Sequence, residues 1–291
     1  MYAPQKLQQR LAGVMTGRNG WPACAALLLG TSTLANADDN GPLSERVSLA
    51  LGTFFMGSDT RVRADAFDSG GIGTPVDFED TFGLDDDRVF RVDASWRLGE
   101  RHLLRAMYFE SDRSVSHVID EDIDFGDATF PVDADVRADF EFAITELAYE
   151  YVFLQRDEYQ LGVSFGIHNA GFRIGLDAAL AQPSGGGNFR LAESVSTQAP
   201  LPVLGLRGRW HITGDLYTLA HAQYFKLAFD AYEGDIQDYE AALVWQVTRH
   251  VGLGVAYNLF VTQLETDDRD HFEGELRWQY SGAQIFLRMS F

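Results

Sequence analysis

The chain has 291 residues, a formal net charge of −20, 46% hydrophobic residues and a single cysteine, Cys24. One cysteine in the leader leaves the rest of the chain without a disulfide, a thiolate nucleophile or a thiolate metal site, and the acidic balance argues against nucleic acid as a partner. No segment after the leader carries the roughly 18 uninterrupted apolar residues of a membrane helix, yet 21 Phe, 11 Tyr and 5 Trp are present. If this chain crosses a membrane, it does so as a closed barrel.

Residues 1–37 contain Lys6, Arg10 and Arg18 and no acid, and they run into the apolar stretch from Trp21 to Leu34. Ala35-Asn36-Ala37 follows, with small residues where a signal peptidase reads, just ahead of Asp38-Asp39. The pattern predicts an export signal cleaved near Ala37 and a mature domain over residues 38–291. Met15 is an alternative start to Met1, and Trp21-Pro22-Ala23 before Cys24 is a poor lipobox.

From there the polarity alternates with period two in segments of about ten residues, separated by turn-like or acidic stretches. In chain order the candidates are Arg46 to Phe55, Thr60 to Phe67, Arg88 to Leu98, His102 to Asp112, Asp139 to Leu154 and Tyr159 to Leu176. Pro202 to Ile212, Leu216 to Phe229, Tyr239 to Thr248, Val251 to Thr262, Phe272 to Tyr280 and Ala283 to Phe291 complete the set. The expectation is an all-β antiparallel transmembrane barrel of about 12 strands, with about 8 to 10 as alternatives. The apolar phase flips between Ile144 and Leu147 and between Tyr224 and Phe225, as β-bulges would cause. Trp96, Trp210, Trp245, Trp278 and Tyr280 lie near segment ends, where aromatic girdles belong.

If the apolar faces meet lipid, Leu253, Val255, Leu276 and Leu287 point outward. The inward set is then Arg91, Asp93, Arg97, Glu146, Glu150, Arg207, Arg209, Glu240, Glu273, Glu275, Arg277 and Arg288. Both signs are equally represented, so the set reads as a pore lining or an interior charge network, and mixed signs favour a salt-bridged plug over an ion-selective ring.

Other motifs carry less. Gly162-Val163-Ser164-Phe165-Gly166 matches the serine-hydrolase elbow by letter but lies inside an alternating run, and His168 on the same face is roughly 13 Å from Ser164 along a strand. His102, His117, His211, His221, His250 and His271 are scattered and read as interfacial or solvated, with no metal-ligand spacing; neither a metal nor a cofactor is expected. The acidic run Asp120 to Asp127 departs from the calcium-loop pattern and reads as a solvated loop, as do Asp85-Asp86-Asp87 and Asp267-Asp268.

The chain ends in an alternating run from Ala283 to the terminal Phe291. Such a last strand resembles that of Gram-negative outer-membrane β-barrel proteins, in the manner of small OmpA-like or opacity-type barrels. The resemblance implies residence in the cell outer membrane and contact with its lipid and lipopolysaccharide. It also implies assembly by the barrel-assembly machinery, with Phe291 as the recognised signal. In such proteins the termini and short turns share the periplasmic end, but counting back from Phe291 puts Ser281-Gly282 at the outer end, so loop orientation stays open. The leading functional reading is a non-enzymatic barrel, structural or a narrow pore, with small solutes as further candidate partners. An outer-membrane lipid-modifying enzyme of phospholipase or lipid A deacylase type is the alternative, and a soluble lipocalin-like periplasmic binder is a second.

Overall fold

The computed structural model describes residues 45–66, 71–84, 86–181, 188–229, 232–268 and 272–291. The proposed leader, with Cys24 and Ala37, lies outside the described residues, as do Asp85 and His271, and so does the side chain of Glu273. Ten long strands run antiparallel: β1 (Val47–Ala64), β3 (Asp87–Gly99), β4 (His102–Val118), β7 (Asp135–Gln155) and β8 (Tyr159–Ala181). They continue with β9 (Asn188–Thr213), β10 (Leu216–Phe229), β11 (Tyr232–Thr248), β12 (Val251–Asp268) and β13 (Phe272–Ser290). Each pairs with the next, and β13 returns to pair with β1 from Ser48↔Ser290 to Ala64↔Gly274, closing the barrel. Near the termini closure gives every strand two neighbours, so no edge is left there to template aggregation; towards the far end residues 188–203 of β9 pair only with β8, and residues 110–118 of β4 only with β7.

The closed wall therefore has ten strands, where twelve segments were expected. Two pairs of segments are single strands: the segments that begin at 46 and at 60 are both parts of β1 (Val47–Ala64), with Phe67 outside the described residues, and those that begin at 272 and at 283 are both parts of β13 (Phe272–Ser290). The apparent breaks at Gly57-Ser58-Asp59 and Ser281-Gly282 lie opposite one another across the closing seam, with Gly57↔Ser281 and Met56↔Gly282 paired. Gly282 marks close backbone approach, since a Cβ there would lie 1.9 Å from the Phe55 carbonyl oxygen. The conflict over loop orientation disappears with the false turn. The turns around Glu100-Arg101, Arg156-Asp157-Glu158, Gly214-Asp215 and Arg249-His250 are all short and share the end where Arg46 and Val47 donate to the Phe291 carbonyl. The longer connections open at the far end.

At that far end β2 (Val76–Asp77) pairs with β1, α1 (Phe78–Phe82) follows, and β5 (Ile123–Phe125) and β6 (Ala128–Phe130) make a separate hairpin. Asp77 caps α1 by accepting from the Asp80 amide, and Gly83, at φ 68°, ends it in the left-handed conformation. The acidic run 120–127 is largely this hairpin. Its acids serve turn bonds, Asp124 accepting from Thr129 and Asp122 from the Val132 amide, while Ile123 and Phe125 are buried. No described helix is long and apolar enough to cross a membrane.

The wall changes character along its height. Near the termini the outer face is apolar: Val47, Trp96, Leu147, Phe165, Leu206, Trp245, Leu253, Val255, Ile285 and Leu287 are exposed. The outward run on β12 from Val251 to Val261 spans roughly 25 Å for a rise of about 3.3 Å per residue and a tilt near 40°, the height of a membrane barrel's apolar band. Trp96, Trp210 and Trp245 ring its terminal side, and Tyr108, Tyr224, Tyr239 and Tyr257 stand exposed towards the far side. Beyond these tyrosines the strands continue, and the polarity inverts. Asp139, Glu141, Arg173, Glu275 and Arg277 now face outward, while Val62, Phe140, Ile174, Leu176, Val195, Leu264 and Leu276 face inward in one hydrophobic core.

That inversion corrects several expectations at once. The β7–β8 register runs unbroken past residues 144–147, and β10–β11 runs unbroken past 224–225, so neither flip is a bulge. The shifts that do occur are at Arg97/Gly99, Val152/Leu154, Leu216/Tyr217 and Gln246/Thr248, all beside the short turns. Leu276 lies inside and Glu275 and Arg277 outside, the reverse of the expected facing. Trp278 and Tyr280 are fully buried in the lumen rather than at an interface.

Candidate functional site

The lumen is filled in three layers. The far layer is aromatic, because the strands there present apolar side chains inward. Trp278 lies 4.5 Å from Phe142, 4.9 Å from Tyr280, 5.2 Å from Phe172 and 5.6 Å from Phe260, measured between ring centroids. Tyr280 stacks on Phe260 at 4.8 Å and meets the edges of Phe54 and Phe109. Phe78 of α1 and Ile123, Phe125 and Phe130 of the hairpin join the same core from above. Two charged groups enter this layer with partners, whereas Trp278 Nε1 and Tyr280 OH are buried without a hydrogen bond. Glu79 of α1 accepts from the Thr60 amide at 2.6 Å and from the Ser58 hydroxyl at 2.9 Å, and burial raises its carboxyl above the ordinary 4.5 despite these bonds. Arg113 donates to Ser58 at 2.7 Å and lies over the Phe140 ring at 5.1 Å.

Directly beneath the aromatics is a polar layer. Glu146 and His168 are cross-strand partners on β7 and β8, and Gln223 and Asp238 are partners on β10 and β11. Arg207 donates to Glu146 Oε1 at 2.9 Å, and Gln223 Nε2 donates to the same oxygen at 2.8 Å. His168 Nε2 stands 3.2 Å from both Glu146 Oε2 and Gln223 Oε1, and its ring stacks under Phe260. His221 Nδ1 faces the Arg207 guanidinium at 3.3 Å, which can only donate, so the His221 proton sits on Nε2 and is donated to Asp238 Oδ2 at 3.1 Å. Asn258 donates to Asp238 Oδ1 at 2.9 Å. Arg91 bonds Asp93 at 2.9 Å and stands 2.8 Å from Glu240 Oε2, an ion pair whose angle falls short of a hydrogen bond.

The third layer, nearest the termini, is basic. Glu150 is held by Arg105 at 2.5 Å and by Arg209 at 3.2 Å, Arg209 also donates to Gln160 at 3.2 Å, and Arg97 donates to the Glu45 and Glu100 carbonyls. Arg288 pairs with Glu45 beside the buried Tyr217.

Of the expected interior set, Arg91, Asp93, Arg97, Glu146, Glu150, Arg207, Arg209, Glu240 and Arg288 face the lumen, while Glu275 and Arg277 stand on the outer wall above the apolar band. His168, His221, Gln223, Asp238, Asn258 and Arg105 belong to the network and were missed. The reading of His221 as interfacial or solvated is corrected: it is buried, as is His168. Phase alone would have found Asp238, which sits two residues from the expected inward Glu240 on the same strand. Ser164 faces the lumen in mid-strand, opposite Glu150 and Gly205, with no strand-to-helix turn near it. The described histidine rings bond Tyr149, Gln223, Glu146, Arg207, Asp238 and the Ser290 carbonyl, and none bonds a serine hydroxyl. Phe291 lies exposed at the terminal end with the His250 ring stacked on it at 5.3 Å.

No protein-family model matches the chain, and no characterised protein matches it in sequence. Its fold does have solved counterparts. The outer membrane protease OmpT from Escherichia coli is similar over 89% of this chain and 100% of its own, with a TM-score of 0.58 and 13% identity. Ail, the attachment invasion locus protein of Yersinia pestis, aligns over 85% of this chain and 99% of its own at TM-score 0.35 and 9% identity. The toluene transporter TodX of Pseudomonas putida aligns over 92% and 93% at TM-score 0.34 and 12% identity. The OmpT likeness is one of fold alone, and the weaker two add no argument. The fold is that of a small Gram-negative outer-membrane β-barrel, built as a closed antiparallel ring of ten strands.

Proposed function

We propose that this protein is a non-enzymatic, closed barrel of the outer membrane, structural in role, with its termini and short turns on the periplasmic side and its polar-walled extension outside. The observation that carries the reading is the filled lumen. An aromatic layer is stacked on two ion-paired layers, and Trp278, Phe109, Phe140 and Phe260 are fully buried within the barrel. Hydrated ions crossing it would have to separate the Arg207–Glu146 and Arg209–Glu150 pairs and part the rings above them. Exposing or stranding buried charges of this kind is costly, so the closed state is favoured. The exposed apolar band, bounded by tryptophans on one side and tyrosines on the other, supports residence in a bilayer over the lipocalin-like alternative, which keeps its apolar face inside.

Single-channel recording on the refolded barrel in a planar bilayer tests this. Insertion without steady conductance steps is expected; reproducible steps of fixed size would show an open path and overturn the closed reading.

A further inference from the structure

The middle layer is short of positive charge. Asp93, Glu146, Asp238 and Glu240 are set against Arg91 and Arg207, while the basic surplus lies with Arg97, Arg105 and Arg209 around Glu150. Glu150 follows Glu146 by four residues on β7, roughly 13 Å along a strand, so compensation between the layers is partial. With His168 and His221 counted as neutral, a deficit of two charges in this buried layer calls for either protons or a cation.

The geometry around His168 indicates which. Gln223 donates Nε2 to Glu146 Oε1, which turns its Oε1 towards His168. Two acceptor oxygens, Gln223 Oε1 and Glu146 Oε2, thus converge on one ring nitrogen at 3.2 Å each, where a single proton satisfies them poorly. The donor atoms of Glu146, His168 and Asp238 all lie within 4.8 Å of one another, in side chains only 4%, 0% and 2% exposed. Ligands bound at about 2.1 Å in a tetrahedron are about 3.4 Å apart, so the Glu146–His168 spacing already suits an ion and the rest closes by small rotations. Asn258, 1% exposed, adds a buried Oδ1 with no hydrogen-bond partner, on the amide that contacts Asp238.

We propose that Glu146, His168 and Asp238, with Gln223 Oε1 as a fourth oxygen, form a buried site for one divalent transition-metal ion of the zinc class, acquired as the barrel closes. One imidazole nitrogen and three oxygens is a donor set such ions accept, and the ion's two charges match the layer's deficit. The ion would cross-link β7, β8, β10 and β11 beneath the aromatic layer, a structural role that fits the closed barrel proposed above.

The test is to refold the barrel in detergent with ZnCl2, or with CoCl2 as a spectroscopic probe, pass it over chelating resin and measure metal by mass spectrometry. One zinc per folded barrel and a tetrahedral cobalt spectrum are expected. His168→Gln and Asp238→Asn should each lower the retained zinc at least tenfold, and Glu275→Gln on the outer wall should retain it. The wild-type result decides even if a lumen variant fails to fold: a folded barrel free of metal after refolding in zinc would overturn the proposal and leave protons as the neutralising charge. Full retention by folded His168→Gln and Asp238→Asn would overturn it equally.

Discussion

The part of the barrel near the termini and the part beyond the tyrosines are made from the same strands and follow opposite rules. On β7, Phe140, Phe142 and Ile144 point into the lumen, and a few residues on, with no change of register, Glu146 and Glu150 do. Outside, the order reverses from Asp139 and Glu141 to Leu147, Tyr149 and Phe153. One section is a membrane barrel with a salt-bridged interior; the other is built like a water-soluble barrel with an aromatic core. Side-chain alternation sets which residues share a face, but the medium outside the wall sets which face is apolar.

The largest effect should come from the soluble-type core. Trp278→Ala removes the ring that touches Phe142, Phe172, Phe260 and Tyr280 and should cost about 3–5 kcal/mol by guanidinium unfolding of the folded barrel, with Trp245→Ala on the outer wall costing well under half as much. Equal losses would mean that the far section does not carry a packed core. The boundary itself is probed on a single face of β12. Val255→Arg near the middle of the apolar band should cost roughly 2–4 kcal/mol in lipid, whereas Gln263→Arg, higher on the same face, should stay within about 0.5 kcal/mol. Similar penalties at both positions would erase the distinction between the two sections.

The smallest effect concerns the polar group at the top of the core. Burial holds the Glu79 carboxyl above its ordinary 4.5, against the bonds from Thr60 and Ser58. The folded state therefore binds the proton more tightly than the unfolded chain. The stability Glu79 contributes is complete below the unfolded value and is lost as the pH rises through the folded one. Unfolding midpoints of wild type should fall relative to Glu79→Gln over that interval. Parallel midpoints across the whole series would show a solvated carboxylate instead.

Much of this was legible from residues alone. Alternation placed Arg91, Glu146, Glu150, Arg207 and Arg209 on one face, and Val251 to Val261 carried the lipid-facing pattern without ambiguity. The misreadings share a cause. The supposed bulges at 144–147 and 224–225 and the misfaced segment 272–280 all lie where the polarity crosses over, and a rule that sends apolar faces to lipid fails once a strand leaves it. Ser281-Gly282 and Gly57-Ser58 looked like turns because glycine breaks a pattern in either role, and only their pairing across the β1–β13 seam shows close packing instead.

The sequence by itself determined that the chain is an antiparallel β protein with alternating faces, because a period of two is a local property of an extended backbone. Tertiary structure decided the strand number, the closure and the meeting of Glu146, His168, Gln223 and Asp238. Those side chains come from four strands, and only the curvature of the closed wall brings them within bonding distance across the lumen.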